Sequence, residues 1–263
     1  MMVDGKAIAT KILTEISKEV GQLSRPPKLS AITCAPNFET QKYLQLKKAK
    51  AASVGIGLNV VELSQMATTA EVVASIKQVL KDSDGIVVQL PLPPQIDRDA
   101  VLRAVPVEKD PDGFLYGVTV NACLSPVVGA IDEISKFYNV DWAGKKVIVL
   151  GQGRLVGLPA AAYARSKSDM VQVFEIDTFD EKELKTADII VSGIGRPHFI
   201  TKKMVKPGVV IFDAGTSEDG GVLVGDVHTE VASVASLLTP VPGGIGPITI
   251  AYLLRNLLRL SSQ

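Results

Sequence analysis

The stretch Lys146-Val147-Ile148-Val149-Leu150-Gly151-Gln152-Gly153-Arg154-Leu155-Val156-Gly157 decides the fold. The segment 146–150, apolar after Lys146, reads as a strand of a parallel sheet. It runs straight into a glycine-rich turn that opens a helix. Glycines there permit a tight turn and let backbone N–H groups approach a pyrophosphate at the helix N-terminus. The spacing is GxGxxxG, and the next strand, 171–175, ends in Glu175, an acid placed to bond a ribose 2′-hydroxyl. The context favours a nucleotide-binding turn over a turn made only for packing.

Working outward, the same alternation runs along the chain. Apolar positions Ile8, Ile12, Leu13, Ile16, Val20 and Leu23 repeat at helical spacing after Asp4, a candidate N-cap. Strands are expected over 28–34, 56–63 and 86–90, with a helix over 40–54 ending at Gly55. Thr68 and Glu71 form a capping-box pattern opening a helix to about residue 81. Pro91-Leu92-Pro93-Pro94 must end the third strand. Later come a helix over 126–138, strands over 188–191 and 209–212, a loop at 243–247 and a final apolar helix over 249–260. Strand–helix alternation with apolar strands means an α/β fold with parallel sheets. The expected architecture is two-domain. A catalytic α/β domain, residues 1–125, is completed by the C-terminal helix, 249–263. A Rossmann-type dinucleotide-binding domain spans 126–248, with a cleft between the two.

Composition removes several classes of function. Lys+Arg and Asp+Glu each number 28, a formal net charge of +0, which argues against a chain built to neutralise nucleic-acid phosphates or an anionic membrane. No uncharged apolar run reaches the roughly 18 residues of a membrane-spanning helix, and no signal-peptide pattern opens the chain, so a cytoplasmic location is expected. Cys34 and Cys123 cannot make a disulfide framework, and no metal-ligand spacing occurs. With only two histidines, His198 and His228, both reading as surface or supporting residues, proton chemistry must lean on other side chains.

Several ordered segments resemble the methylenetetrahydrofolate dehydrogenase/cyclohydrolase family. They are Asp4-Gly5-Lys6; Tyr43-Leu44-Gln45-Leu46-Lys47 with Gly55-Ile56 downstream; Val88-Gln89-Leu90-Pro91-Leu92-Pro93; Lys109-Asp110-Pro111-Asp112-Gly113; and Thr239-Pro240-Val241-Pro242-Gly243-Gly244-Ile245-Gly246-Pro247-Ile248-Thr249. Tyr43 and Lys47, at i and i+4, share a helix face. Gln89, polar inside an apolar strand, needs a partner or a ligand. The resemblance implies that Gln89 holds Lys47 over the folate, with Tyr43 shaping the same surroundings. It implies that Asp112 binds the pterin donors, and that Pro242, Gly243, Gly244 and Pro247 form a wall against the ring. Gly151, Gln152, Gly153, Arg154, Glu175 and the backbone of Thr216 would contact NAD(P).

The implied activity is oxidation of 5,10-methylenetetrahydrofolate followed by hydrolysis of the 5,10-methenyl product to 10-formyltetrahydrofolate, by a homodimer joined through its second domain and without a metal. A single-activity member of the family, or a shikimate-dehydrogenase-like oxidoreductase, is the alternative. NADP is the family default. Here Gln152-Gly153 stands where Arg-Ser is usual, and Glu175-Ile176 where His-Ser is usual. A carboxylate at 175 repels a 2′-phosphate and suits NAD, whereas Arg154 offers a replacement partner for that phosphate. The stretch from Asp112 to Ser125 is short for the family.

Overall fold

The structure, a computed structural model, describes residues 1–262. The chain divides into two compact units: Thr10–Leu124 with Ile250–Gln263, and Met1–Ala9 with Ser125–Thr249.

The first unit is built on a three-stranded parallel sheet of order β2-β1-β3, from β1 (Lys28–Cys34), β2 (Gly57–Leu63) and β3 (Gly85–Val88). β1 and β3 are almost wholly buried, so both read as continuous apolar runs. β3 is shorter than expected. It stops at Val88, although Gln89 N–H still donates to Ile32 O at 2.8 Å before the cis Leu90–Pro91 bond turns the chain away. Gln89 therefore lies one residue past the strand rather than inside it. α2 (Phe38–Ser53) and α3 (Thr69–Val79) follow β1 and β2, and the expected capping box between Thr68 and Glu71 is formed. α4 (Arg98–Arg103), too short to show a period, was not legible in the sequence. Ile32, Cys34, Val72, Ile76, Ile86, Val88 and Val101 form the core of this unit.

The second unit carries a five-stranded parallel sheet of order β10-β7-β6-β4-β5. Its strands are β4 (Val147–Leu150), β5 (Val171–Phe174), β6 (Ile189–Ser192), β7 (Val210–Asp213) and β10 (Leu237–Leu238). β8 (Ser217–Asp219) and β9 (Val222–Val224) form a separate hairpin. Three helices punctuate the unit, α5 (Pro126–Phe137), α6 (Gly157–Lys167) and the single turn α7 (Glu181–Leu184). β4 has β5 on one side and β6 on the other, so the order reverses at β4. That switch point is where an open parallel sheet takes its ligand, and the turn at Gly151 leaves from it.

Two helices divide their residues between the units. α1 (Gly5–Val20) starts in the second unit because the chain before it forms an isolated parallel bridge to β10 there: Val3 N–H donates to Leu238 O at 3.0 Å and Leu238 N–H to Met1 O at 2.9 Å. Residues 1–9 therefore cluster with the dinucleotide-type unit, not with the residues that follow them. Asp4 caps α1 as expected, its Oδ1 accepting Ala7 N–H at 3.0 Å. α8 (Ile245–Ser261) begins four residues earlier than the expected 249, taking Ile245, Gly246 and Pro247 out of the supposed loop and into its first turn. Proline is tolerated there because first-turn N–H groups have no helical acceptor.

At Gly5 the backbone of α1 meets that turn. Gly5 N–H donates to Gly243 O at 3.0 Å, and a Cβ on Gly5 would sit 1.8 Å from Gly244 O. Gly5→Ala must push one backbone off the other, an overpacking cost of about 1–3 kcal/mol. We expect Tm to fall by about 2–4 °C per kcal/mol, measured by calorimetry on purified protein.

Candidate functional site

In the first unit the site is assembled on α2. Asn37 caps the helix, its Oδ1 accepting Thr40 N–H at 2.8 Å, and the i,i+4 spacing puts Tyr43 and Lys47 on one face. Lys47 is buried, its Nζ 4.8 Å from the centroid of the half-buried Tyr43 ring. Nζ donates to Gln89 Oε1 at 3.0 Å, while Gln89 Nε2 is committed to Leu90 O at 2.9 Å. That second bond orients the amide so that its oxygen faces the amine.

Burial pushes the Lys47 pKa below that of an ordinary lysine, and the nearby Asp112 carboxylate opposes the shift. Burial raises the Asp112 carboxyl, with Lys47 pulling the other way, and burial together with Asp112 raises the Tyr43 phenol. Lys47, Tyr43, Gln89 and Asp112 are thus brought together in one poorly solvated site.

The loop carrying Asp112 is fixed by two residues not singled out from the sequence. Asp110, 3% exposed, accepts Gly113 N–H at 3.0 Å and Phe114 N–H at 2.8 Å, and Gly113 takes the left-handed conformation, φ +61°. Asn256 on α8, also buried, donates from Nδ2 to Pro111 O at 2.9 Å and to Leu124 O at 2.8 Å. Its signal was present in the sequence, as one amide in the apolar run Leu253-Leu254-Arg255-Asn256-Leu257-Leu258, where a buried polar group implies a partner.

In the second unit each glycine of the turn after β4 has its own reason. Gly151 is left-handed at φ +94°, and a Cβ on Gly157 would lie 2.0 Å from Gly151 O. A Cβ on Gly153 would meet nothing within 4 Å. The protein's own packing does not require glycine at 153, and the bare backbone leaves space that a side chain would fill, which fits the approach of a dinucleotide pyrophosphate. Gln152 is exposed and Arg154 half-buried in the same turn, Glu175 is exposed one residue past β5, and Thr216 is exposed just before the hairpin. Of the segment 242–247, Pro242 follows a cis bond, Gly243 has φ +109° with open space at its Cβ position, and Gly244 N–H donates to Pro240 O at 2.7 Å. The two histidines stack edge to face, ring centroids 5.5 Å apart, and His228 Nδ1 accepts Glu230 N–H. Among the described residues no cluster of three or more His, Cys, Asp or Glu could hold a metal ion, and no helix is long and apolar enough to cross a membrane.

An open parallel sheet with a glycine turn at its switch point, in a chain whose other α/β unit buries a lysine against a glutamine, defines a two-domain dinucleotide-binding enzyme. Comparison with known proteins gives the family. The model of the tetrahydrofolate dehydrogenase/cyclohydrolase catalytic domain matches residues 3–112, and that of the NAD(P)-binding domain of the same enzymes matches residues 125–263. The bifunctional protein FolD of Macrococcus caseolyticus is 37% identical over 272 residues, covering 98% of this chain and 96% of that protein. The crystal structure of the Campylobacter jejuni bifunctional FolD superposes with a TM-score of 0.95 at 31% identity, covering 100% of this chain and 98% of that one. The Trypanosoma brucei enzyme, complexed with NADP cofactor and an inhibitor, gives 0.93 at 33% identity, with 100% and 97% covered. The chain belongs to the tetrahydrofolate dehydrogenase/cyclohydrolase family.

Asp110 gives the site a pH signature. Burial first, and then the Asp112 charge, raise its pKa from 3.8 to about 7. Between those values the folded chain binds a proton the unfolded chain has released, so this residue's contribution to stability declines as pH rises from about 4 to about 7. Asp110→Asn removes the titration, at a pH-independent cost because its NH₂ must face the N–H of Gly113 or Phe114. The Tm of the variant relative to the unaltered protein should therefore climb between pH 5 and pH 8 in thermal melts; a constant difference would contradict the assignment.

Proposed function

We propose that the chain oxidises 5,10-methylenetetrahydrofolate with NAD(P) and hydrolyses the 5,10-methenyl product to 10-formyltetrahydrofolate. The observation that carries this reading is the buried Lys47–Gln89 hydrogen bond at 3.0 Å. The dinucleotide, held by Gly151, Gln152, Gly153 and Arg154, supplies the acceptor for the hydride that leaves the methylene carbon. Everything else falls to the chain's own side chains. Asp112 offers two acceptor oxygens to the adjacent amino and ring N–H donors of a pterin. Pro242, Gly243, Gly244 and Pro247 are assigned to the folate by resemblance to the family, and Gly243 leaves bare backbone there.

The methenyl carbon is already a cationic electrophile. Water adds to it, and Lys47, whose pKa is lowered by burial, takes the departing proton. As the bond from that carbon to N5 breaks, the Lys47 ammonium returns the proton to N5 and the adduct's hydroxyl proton leaves to solvent. One proton is released overall. Gln89 keeps the amine aimed through the cycle, and Tyr43 closes its other side. Lys47→Met should lower methenyl hydrolysis, followed as loss of the methenyl chromophore, by about 100-fold or more. Unchanged hydrolysis would refute the role given to Lys47.

We propose further that the dinucleotide preference leans to NAD. Glu175, exposed at the end of β5, suits the two ribose hydroxyls and repels a 2′-phosphate. Steady-state kinetics should give a higher kcat/KM with NAD than with NADP, and Glu175→Ser should move the ratio towards NADP by about tenfold. A strong NADP preference in the unaltered enzyme would sink the idea. A homodimer through the second unit, working in the cytoplasm, completes the reading. β5 is the outer strand of its sheet, Leu155, Leu158 and Met170 are exposed, and both cysteines are free thiols.

A further inference from the structure

Deep in the second unit, two carboxylates with no role assigned so far are buried together. Asp213 closes β7 at 2% exposure and Asp226 follows β9 at 0%. Asp213 Oδ1 accepts Gly215 N–H at 2.9 Å and Asp226 N–H at 3.1 Å, and its Oδ2 accepts Val227 N–H at 3.0 Å. Asp226 Oδ2 accepts the Ser192 hydroxyl at 2.7 Å and Ile194 N–H at 2.9 Å, while Oδ1 accepts Arg196 N–H at 2.9 Å. Glycines make the room. A Cβ on Gly215 would lie 2.3 Å from Asp226 Oδ1, and one on Gly225 would lie 2.1 Å from Asp213 Oδ2. Two acids are each seated in a notch left by a glycine, and every backbone donor named here lies outside the strands of the five-stranded sheet, the Ser192 hydroxyl coming from the last residue of β6.

The loop that Asp226 collects is the one leaving β6, and that loop supports the dinucleotide turn. Gly193 lies between the two Asp226 ligands Ser192 and Ile194. A Cβ on Gly193 would strike Val156 Cγ1 at 2.4 Å, and a Cβ on Gly151 would lie 2.9 Å from Gly193 O. The packing therefore runs without a gap from the Asp226 carboxylate through Ser192 and Ile194 to Gly193, and from Gly193 to Gly151 and Val156. We propose that Asp226 is a positioning residue for the dinucleotide: its carboxylate sets the height of the Ser192–Arg196 loop, and through Gly193 the shape of the turn that receives the pyrophosphate. Asp213 sets Asp226 in turn, by holding its backbone N–H and that of Val227.

This role rests on the dehydrogenase reading, and the test separates the two. Asp226→Asn keeps the shape but must turn an NH₂ towards at least one N–H donor of the loop. KM for the dinucleotide should rise by about tenfold or more, with kcat at saturating dinucleotide changed by less than about threefold. Methenyl hydrolysis measured without dinucleotide reports the amount of folded enzyme. General damage would lower both activities together and leave KM alone, which would overturn the proposal. If Asp226→Asn does not fold, Ser192→Ala removes a single donor and should raise the same KM by about threefold; no rise in a folded variant also overturns it. An unaltered enzyme that neither binds nor reduces a dinucleotide would overturn the dehydrogenase reading instead.

Discussion

A lysine amine taken out of water keeps its protons only if something accepts them, and this constraint organises the first unit. Lys47 is 7% exposed and its donors meet one amide oxygen. Gln89 can present that oxygen because its own NH₂ is occupied by Leu90 O. Leu90 lies beyond β3, the outer strand of its sheet, so its carbonyl carries no ladder bond and can take the amide. Asp112 supplies the opposing charge, and the balance between it and burial leaves the amine able to hold or release a proton.

Both units fasten their loops by the same device, a buried aspartate that gathers backbone N–H groups. Asp110 gathers Gly113 and Phe114 in one unit; Asp226 gathers Ile194 and Arg196 in the other. A loop beyond the end of a parallel strand has no ladder to satisfy its donors. A carboxylate with two oxygens can serve several at once. The cost is burial of an acid, visible in the raised Asp110 and Asp213 carboxyls, at about 7 and about 6. For Asp213 burial again leads, with the Asp226 charge second. Rigid loops beside a reacting group justify such an expense where stability alone would not.

What the sequence made legible follows from the range of the interactions. The β1, β4 and β5 runs, the α3 capping box and the Asp4 cap are local patterns, and all appear where expected. Tyr43 and Lys47 were joined by helical spacing, and Gln89 stood out as a polar residue in an apolar run. Short pieces such as α4, the β8–β9 hairpin and β10 offer too few residues for a period to show. Asp226, Asn256 and the pairing of residues 1–3 with β10 are different in kind. Their partners lie 30 or more positions away in sequence, for instance Arg196 with Asp226 and Leu124 with Asn256. Only the folded chain shows that Gly225-Asp226 is a notch and its occupant and not another turn.

The proposed dinucleotide site divides its determinants by chemistry. Its pyrophosphate side is written in backbone: Gly151 and Gly157 by close packing, Gly153 by open space, Gly193 by contact with Val156. Side chains there can change, as Gln152 illustrates, without altering where the N–H groups point. The ribose side is assigned, as proposed above, to the exposed acid Glu175, whose own N–H and C=O are tied to Thr178 Oγ1 at 3.1 and 3.2 Å while its side chain reaches solvent. The main chain there is fixed, and the charge it carries is not constrained by packing. Under the proposed function, binding of a dinucleotide follows from the backbone of the turn, whereas the choice between its two forms is assigned to a surface side chain that can be exchanged at little cost to stability.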